Sequence, residues 1–279
     1  MVMEYVGKTI VLKIGGEAVM SPEFPGVVAD IGQLVRAGVK VAVVHGGGPQ
    51  ATALTKRLGL EPRIVGGRRI TDAETLEVMK MVLSGQIGTD LAALFRRQKV
   101  SAVALSGVSG DILHAKKRPP RVVSGGGPEA IDFGYVGDIL SVSTEILEML
   151  MNHGVVPLLN SLGVDDFGQI LNINADVAAT RIAVALGARK LFMLTGASGV
   201  FRDISDPSSR ISTLTVAEGK KLIADNIVTG GMIPKLEESF GAIAAGIPEV
   251  HIFSSAAPHA LLLEFTAETR TGTMLCGAQ

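Results

Sequence analysis

Short apolar runs alternate along this chain with segments whose apolar residues recur at helical spacing. The runs at 9–14 and 39–44 are rich in β-branched residues, which is typical of buried strands. Between them, residues 27–35 place apolar side chains three or four positions apart, and Gly38 follows as a helix stop. A strand, a helix and a strand form a βαβ unit, so the first two strands are predicted to lie parallel.

The same alternation continues through the rest of the chain. Thr71 and Glu74 have the spacing of a capping box, with Thr71 as the N-cap of a helix that Gly85 is expected to interrupt. Further strands are predicted at 101–105, 155–159, 190–195 and 249–253, of which 249–253 is expected to be the last. Further helices are predicted at 49–58, 87–95, 144–151, 215–224 and 259–265, together with one that ends at 184 and one that opens at 230–235.

Glycine, proline and polar residues mark the segments between these elements. They predict a loop or small hairpin at 63–70, surface hairpins within 111–135 and a hairpin turn at 165–168. The basic run at 116–118 is interpreted as a solvated face. Together with the alternating strands and helices, these turns predict an α/β fold.

Composition narrows the class of protein. Hydrophobic residues make up 47% of the chain and aromatic residues only 4%, so the core is expected to consist of aliphatic side chains, as in parallel sheets covered by helices. A net charge of −1 gives no electrostatic argument for nucleic acid or an anionic membrane as a partner. The single cysteine, Cys276, excludes an internal disulfide framework and a multi-cysteine metal site. No apolar run is long enough to span a bilayer and no signal-peptide pattern is visible, so a cytoplasmic protein is expected.

Several predicted strands end in glycine turns that suit the binding of anions. After the second strand, three glycines lead into a helix that Pro49 opens, so backbone N–H groups and the helix dipole would face a ligand there. Lys13 and Lys235 each lie beside a glycine pair, and Asp176 lies at a predicted helix start. Phosphoryl transfer needs positive charge and N–H donors around the moving group, which these residues could supply.

The residues alone leave the type of site open. The Gly-x-x-x-x-Gly-Lys-Ser/Thr phosphate loop and the Gly-x-Gly-x-x-Gly dinucleotide motif are both absent from the sequence. Arg68 and Arg69 precede a helix and could grip a substrate carboxylate, or they could belong to a solvated basic loop. Helix capping could explain the polar residues at 172–176, namely Asn172, Asn174 and Asp176. Capping readily explains one such residue, but it is a weaker explanation for all three. The sequence therefore predicts an α/β protein with several anion-binding turns, compatible with a nucleotide-using transferase.

Seven short motifs, taken together and in order, resemble the amino acid kinase family and, within it, the members that phosphorylate N-acetyl-L-glutamate. They cover nearly the whole chain and read Lys13-Ile-Gly-Gly, Val44-His-Gly-Gly-Gly-Pro-Gln, Gly67-Arg-Arg-Ile-Thr-Asp, Gly134-Tyr-Val-Gly, Asn172-Ile-Asn-Ala-Asp, Leu194-Thr and Gly231-Met-Ile-Pro-Lys. The resemblance implies a three-layer αβα sandwich around a mainly parallel sheet. It also implies one domain over 1–279, with an N-terminal lobe of about 1–175 that binds N-acetyl-L-glutamate and a C-terminal lobe of about 176–279 that binds ATP.

The implied reaction moves the γ-phosphoryl group of ATP to the γ-carboxylate of N-acetyl-L-glutamate, the second step of arginine biosynthesis. The resemblance assigns catalysis to Lys13, Lys235 and Asp176, with the aspartate holding both lysines in place. It assigns acceptor binding to Gly47, Gly48, Arg69 and Asn172, and nucleotide contacts to Gly15, Gly16, Thr195, Ser198, Gly199 and Thr229. Mg²⁺ would bridge the ATP phosphates with few direct protein ligands, and no metal-binding residue is predicted.

The chain departs from the family pattern at a few positions. Gly196 and Gly230 stand where the family commonly has aspartates beside the nucleotide, and Ser109 stands where an aspartate is usual in a loop. Arg68 replaces an apolar residue next to the arginine expected to bind the acceptor. These differences bear on nucleotide preference and on acceptor choice.

The resemblance also bears on assembly and on rival functions. Only twelve residues precede Lys13, so the N-terminal helix of arginine-inhibited family members is expected to be missing, which predicts a homodimer insensitive to arginine. One alternative is a related acid kinase that acts on a carrier-bound or different amino acid, although the asparagine motif at 172–176 favours the free acetylated one. Another alternative is a non-catalytic, ligand-binding regulator with the same fold.

Overall fold

Strands and helices alternate through most of the protein, whose computed structural model describes residues 2–123 and 127–277. The strands are β1 (Thr9–Ile14), β2 (Lys40–His45), β3 (Ile64–Val65), β4 (Arg68–Arg69), β5 (Ala102–Ser106), β6 (Leu113–Lys117), β7 (Gly137–Val142), β8 (Val156–Asn160), β9 (Leu162–Val164), β10 (Ile170–Asn172), β11 (Lys190–Leu194), β12 (Val200–Phe201), β13 (Arg210–Ile211), β14 (Thr213–Thr215), β15 (Glu249–Phe253) and β16 (Thr273–Cys276). The helices are α1 (Gly16–Val19), α2 (Phe24–Arg36), α3 (Gly48–Arg57), α4 (Ala73–Lys80), α5 (Gly88–Arg97), α6 (Glu145–Asn152), α7 (Ala175–Ala185), α8 (Val216–Ala224), α9 (Met232–Ala244) and α10 (Ala260–Leu263).

An eight-stranded sheet forms the centre of the molecule, in the spatial order β14–β16–β15–β11–β1–β2–β8–β5. The six strands from β15 to β5 in this order are parallel to one another, and β1 lies between β11 and β2. Only β16 and its partner β14 run in the opposite direction among the strands of this sheet. The prediction of a mainly parallel sheet is therefore confirmed.

Helices cover both faces of the sheet and complete three layers. Alternate residues of β1 face opposite sides: Ile10, Leu12 and Ile14 pack in a core with α2, α5 and α10, whereas Val11 packs in a second core with α6, α7, α8 and α9. By the same alternation Lys13 lies on the side of Val11, which is the side of α7 and α9. The three-layer αβα architecture is confirmed, and its aliphatic core agrees with the composition.

A smaller sheet, in the order β10–β9–β6–β7, lies beside the carboxyl ends of the central strands. The predicted turn at 165–168 connects β9 to β10 as an antiparallel pair, and the predicted hairpin at 63–70 is the β3–β4 pair. The expectation of surface hairpins within 111–135 is wrong for β6, because Leu113 and Ala115 are fully buried and β6 pairs with β7. Residues 124–126 of that segment lie outside the described residues.

The capping box predicted at Thr71 is displaced by one residue. Asp72 is the N-cap of α4, and its carboxylate accepts the Thr75 N–H at 2.9 Å. Thr71 is instead part of an extended segment: its N–H donates to Phe133 O at 2.9 Å, and its carbonyl accepts the Tyr135 N–H at 2.7 Å. Long-range backbone pairing has therefore outcompeted the local capping pattern.

The predicted break at Gly85 is also wrong. The chain stays helical from α4 into α5 through a π-helical stretch, Met81–Ile87, that contains this glycine. Leu83 and Ile87 of this stretch both approach Gly47, where a Cβ would lie 2.8 Å from Leu83 Cδ2 and 2.5 Å from Ile87 Cδ1. The π-helical stretch thus packs directly under the glycine turn that follows β2.

The last strand of the described chain was not predicted. The segment 249–253 forms β15 as expected, but it is not the last strand, because β16 follows and pairs with it in antiparallel fashion. Cys276 ends β16 and is partly buried. Among the described residues, no helix has both the length and the apolar character needed to cross a bilayer.

Candidate active site

Three residues that are far apart in the sequence meet at the carboxyl end of β1. The Nζ of Lys13 lies 2.6 Å from Oδ1 of Asp176, and the Nζ of Lys235 lies 3.7 Å from Oδ2 of the same carboxylate. Lys13 belongs to β1, Asp176 to the first turn of α7 and Lys235 to the start of α9. One carboxylate therefore holds two ammonium groups that come from different parts of the fold.

Local capping fixes the position of this carboxylate. Asn174 is the N-cap of α7, and its side-chain oxygen accepts the N–H groups of Asp176 at 2.7 Å and Val177 at 3.3 Å. A carboxylate in the first turn is also favoured by the helix dipole. Capping was one reading of Asn174 from the sequence, and the structure places this cap beside the charged cluster.

The two lysines stabilise the ionised form of Asp176. Burial of Asp176 opposes its ionisation, but the positive charges and hydrogen bonds of Lys13 and Lys235 outweigh burial and hold the pKa of Asp176 below its usual range. Asp176 is therefore ionised at neutral pH, and the three residues together carry one excess positive charge. Such a cluster attracts an anion and can stabilise negative charge that develops during a reaction.

Two glycine turns meet beside this cluster. A Cβ on Gly16 would lie 2.8 Å from Pro49 Cδ and 3.3 Å from Gly47 Cα, so the turn after β1 packs closely against the turn after β2. Gly47 is the N-cap of α3, and its carbonyl accepts the Ala51 N–H at 2.9 Å. The first N–H groups of α3, beginning with Gly48, have no partner within the helix and are thus suited to an anion.

Gly15, unlike Gly16, does not line the cavity beside this cluster. Its N–H donates to Leu194 O at 3.0 Å, across the β1–β11 pair, so this amide is already engaged. Gly15 is the N-cap of the short helix α1, which Gly16 begins. The structure therefore links Gly15 to the packing of the sheet rather than to an open donor.

Arg69 lines the cavity and has one unused donor. Its Nη2 donates to Gly48 O at 3.1 Å and to Thr52 Oγ1 at 2.8 Å, which fixes the guanidinium against α3. Its Nη1 is buried and has no hydrogen-bond partner among the described residues, and burial lowers the pKa of Arg69. A buried guanidinium with an unsatisfied N–H group is well suited to bind a carboxylate.

Asn172 lies on the same wall, at the end of β10. Its Nδ2 donates to Thr71 Oγ1 at 3.1 Å, and its backbone N–H donates to Tyr135 O at 2.8 Å. These bonds hold the amide group at the pocket surface. Thr71, whose predicted capping role is wrong, thus positions a residue of the candidate site.

A cavity of about 810 Å³ joins these features, which is a size typical of small-molecule sites. Seven of the sequence-predicted site residues line it: Lys13, Gly16, Gly47, Gly48, Arg69, Asn172 and Asp176. Lys235 is not part of the lining, although Pro234 and Glu238 of the same helix are. The predicted catalytic and acceptor-binding residues therefore line one cavity, except Lys235, which joins them through its contact with Asp176.

Most of the predicted nucleotide contacts lie outside this cavity, in the C-terminal part of the fold. Thr195 follows β11 and donates its N–H to Phe253 O at 2.9 Å, while Ser198 Oγ lies 3.1 Å from Ser254 Oγ. Gly199 has a φ of 135° that favours glycine, and Thr229 is exposed just before α9. The structure does not bring these residues into contact with the cavity, and their nucleotide role stays a prediction.

Several residues that line the cavity were missed or misread from the sequence. Arg118 was interpreted as part of a solvated face, but it is only 7% exposed and bonds Asp138 Oδ1 through Nε at 2.8 Å and Nη2 at 2.6 Å. Arg121, Phe133, Val136 and Glu238 also line the cavity. The only sequence signal for Arg118 would have been an acidic partner on a paired strand, which requires knowledge of the β6–β7 register.

Comparisons with known proteins agree with this geometry. A sequence model of the amino acid kinase family matches residues 8–254. The chain is 49% identical over 266 residues to the acetylglutamate kinase of Sorangium cellulosum, covering 95% of this chain and 94% of that one. It is 50% identical over 268 residues to the acetylglutamate kinase of Anaeromyxobacter dehalogenans strain 2CP-C, covering 96% and 99%.

A solved structure shows the same fold in a longer protein. N-acetylglutamate synthase from Neisseria gonorrhoeae, complexed with coenzyme A and N-acetyl-glutamate, superposes with a TM-score of 0.83 at 25% identity. The match covers 100% of this chain and 61% of that one, so this chain corresponds to about three fifths of the synthase. On these matches, the chain belongs to the amino acid kinase family.

Proposed function

We propose that this protein transfers the γ-phosphoryl group of ATP to the side-chain carboxylate of N-acetyl-L-glutamate, giving N-acetyl-L-glutamyl 5-phosphate and ADP. The observation that carries the proposal is the Lys13–Asp176–Lys235 cluster at one end of a cavity that also exposes Arg69. The relatives named acetylglutamate kinase, half identical over nearly their whole length, support this choice of acceptor. In that role the protein catalyses the second step of arginine biosynthesis.

The cluster can perform this chemistry without a general base, because a carboxylate is already a nucleophile. Phosphoryl transfer then depends on holding the two reactants in place and on compensating the charge of the moving group. Lys13 and Lys235 supply that positive charge, and Asp176 keeps both ammonium groups in one place. Gly47 and Gly48, at the start of α3, offer backbone N–H groups to the same anionic region.

The acceptor is bound by the opposite wall of the cavity. The unpaired Nη1 of Arg69 takes the α-carboxylate of N-acetyl-L-glutamate, since that donor is buried and otherwise unsatisfied. Asn172 contacts the bound acceptor through its amide group, which Thr71 holds in place. The γ-carboxylate is then left for the lysine cluster.

ATP binds as its magnesium complex in the C-terminal lobe, about 176–279, and the acceptor binds in the N-terminal lobe, about 1–175. Gly16, Thr195, Ser198, Gly199 and Thr229 are the proposed nucleotide contacts. Gly15, whose N–H already bonds to Leu194 O, is proposed to contact the nucleotide without that donor. No group of three His, Cys, Asp or Glu side chains among the described residues could hold a metal ion. Mg²⁺ prefers phosphate oxygens and water, so it would enter bound to the nucleotide as part of that substrate.

The proposal includes a cytoplasmic homodimer that is insensitive to arginine. Edge strand β5 exposes part of its apolar surface, including Val103, and Met81 is exposed nearby on the π-helical stretch. Sedimentation of the purified protein is expected to give the mass of a dimer. A hexamer, or inhibition by low concentrations of arginine, would contradict this part of the proposal.

The test is ADP release by the purified protein with Mg²⁺, ATP and one acceptor at a time. N-acetyl-L-glutamate is expected to support turnover well above the ATP background, and L-glutamate is expected to be a poor acceptor. If ATP binds but free N-acetyl-L-glutamate is inert, the acceptor assignment is wrong. If ATP does not bind, the protein is not a kinase.

A further inference from the structure

Three further arginines line the candidate site. Arg68 lies on β4, and Arg118 and Arg121 follow β6, and all three side chains line the same cavity. The proposed reaction assigns a ligand to none of them, because Arg69 and the two lysines already account for both carboxylates of N-acetyl-L-glutamate. Three guanidinium groups in one cavity, of which Arg121 is exposed, therefore need a further explanation.

At least one of these three guanidinium groups, that of Arg118, is held in place by its neighbours. Arg118 is nearly fully buried, and Asp138 fixes it through two bonds to one carboxylate oxygen. Arg68 is half-buried, and among the described residues its guanidinium makes a single long hydrogen bond, of 3.4 Å, to Gly66 O. Among the described residues, no carboxylate lies within 4.0 Å of the guanidinium of Arg68 or Arg121. Burial and the nearby charge of Arg118 both lower the pKa of Arg121, as expected for crowded positive groups.

Glu238 lines the same cavity, close enough for the charges of Arg68 and Arg118 to act on it. It lies one turn beyond Lys235 on α9, but no basic nitrogen among the described residues is within 4.0 Å of its carboxylate. Burial and the charges of Asp176 and Glu237 raise the pKa of Glu238, whereas Arg68 and Arg118 act in the opposite direction. Against three guanidinium groups there are thus two carboxylates, Asp138 and Glu238, and one positive charge remains in excess.

We propose that Arg68, Arg118 and Arg121 form a second anion subsite, which binds a carboxylate carried at the end of the acceptor's N-acyl group. This inference rests on the proposed function, in which the two glutamyl carboxylates are already bound and only the acyl end is free. Phe133 and Val136 line the cavity too, and the backbone of Arg118 bonds to Val136 O at 2.8 Å. Apolar side chains beside fixed guanidinium groups suit a short methylene chain that ends in a carboxylate. The substrate range therefore extends from N-acetyl-L-glutamate to N-acyl-L-glutamates with an anionic acyl group.

The test compares two acceptors of the same size, N-succinyl-L-glutamate and its neutral analogue N-succinamoyl-L-glutamate, in which an amide replaces the terminal carboxylate. The wild-type protein is expected to phosphorylate the succinyl compound with a kcat/KM at least tenfold above that of the amide, since a charge-assisted bond is stronger than a neutral one. Arg68→Gln combined with Arg121→Gln is expected to bring the two acceptors within about twofold of each other.

Two further variants check the sign of the effect. Glu238→Gln removes the competing carboxylate and is expected to strengthen the preference for the succinyl compound, whereas Glu237→Gln, at the exposed neighbouring position, is expected to leave it unchanged. Equal use of both acceptors by the wild-type protein would overturn the proposal. So would phosphorylation of N-acetyl-L-glutamate with neither larger acceptor used.

Binding measurements separate this inference from the proposed function. Calorimetric titration of each acceptor without ATP reports the same preference even if no phosphoryl transfer occurs. A preference for the succinyl compound that disappears in the double variant supports the subsite whatever the turnover. Weak, equal binding of both compounds contradicts the subsite, while turnover of N-acetyl-L-glutamate alone keeps the proposed function. Thermal unfolding of each variant shows whether it remains folded.

Discussion

The ammonium nitrogen of Lys13 lies 2.6 Å from a carboxylate oxygen of Asp176, and these side chains are only 9% and 16% exposed. This ion pair joins the central strand β1 to the first turn of α7, and the more distant Lys235 extends it to α9. Because both lysines contact the same carboxylate, the negative charge of Asp176 holds two ammonium groups in position.

Replacing Asp176 with Asn is expected to lower kcat at least a hundredfold, with a much smaller change in the KM for the acceptor. The amide keeps the size of the side chain but no longer holds the two ammonium groups, and losing one preorganised electrostatic contact typically costs about two to three orders of magnitude in rate. Steady-state kinetics with both substrates measure the effect. Asp176→Glu retains the charge and serves as a control; an Asn variant with wild-type kcat would contradict the assigned role.

Gly47 and Gly48 are expected to respond to alanine in opposite ways. A Cβ at Gly47 would clash with Leu83 and Ile87, so Gly47→Ala is expected to destabilise the fold. A Cβ at Gly48 meets no atom within 4 Å, and replacing glycine by alanine at a compatible backbone position stabilises by about 0.4–1 kcal/mol, so Gly48→Ala is expected to be as stable as the wild type or more so. Because Gly48 lines the cavity, its variant should still lose activity. Thermal unfolding and steady-state kinetics of both variants test these expectations. A fully active Gly48→Ala variant would show that the Gly48 backbone is not part of the site.

Arg69→Lys is expected to raise the KM for the acceptor roughly tenfold to a hundredfold, because lysine keeps the charge but not the fork of N–H donors. The KM for ATP should remain near its wild-type value, since Arg69 lies on the acceptor wall and bonds to Gly48 and Thr52. Arg57→Lys, at an exposed position of α3, provides the matched control. An unchanged acceptor KM would show that Arg69 does not bind the substrate carboxylate.

A second charged cluster predicts how stability depends on pH. Glu249, at the start of β15, contacts both His251 and Lys190, and these hydrogen bonds lower its pKa to about 2 against the opposing effect of burial. Because its pKa is lower in the folded state, its stabilisation is complete above the unfolded value of 4.5 and is lost as the pH falls toward 2. The contribution at neutral pH is about 3 kcal/mol.

Urea unfolding of the wild type and of Glu249→Gln tests this linkage. The variant is expected to be less stable at pH 7, and the difference between the two proteins is expected to shrink steadily below pH 4.5. Glu61→Gln, at an exposed position, should show no such trend. Because the cluster lies at the amino ends of β11 and β15, away from the cavity, kcat should not change. A stability difference that is independent of pH would contradict the prediction.

Much of the central sheet could be predicted from the sequence, because buried parallel strands are continuous apolar runs between turn residues. The predicted bounds of β1 and β15 agree with the structure residue for residue. β16 could not be found in this way, since Thr273–Cys276 is short and takes its extended form from pairing with β15. The N-cap at Asp72 was misplaced because the competing bonds of Thr71 come from residues some sixty positions further along the chain.

Only those residues of the candidate site that belong to sequence motifs could be predicted. The glycine turns and the two lysines stand out in the sequence, and the structure brings Lys13, Lys235 and Asp176 together. Arg118 was misread because its burial depends on Asp138, twenty residues away, on a paired strand. Glu238 gave no signal, since a glutamate on a helix is usually solvated. Contacts of this kind depend on tertiary packing, which a local pattern does not contain.

The most direct measurement of the central claim is the formation of acyl hydroxamate by the purified protein with ATP, Mg²⁺, N-acetyl-L-glutamate and hydroxylamine, run beside the Lys235→Ala variant. An acyl phosphate reacts with hydroxylamine, so the assay reports the chemical bond that the proposed reaction forms. The account predicts a hydroxamate that requires both substrates with the wild-type protein and its near-complete loss in the variant. Absence of hydroxamate while ATP and acceptor both bind, or equal yield from Lys235→Ala, would contradict it.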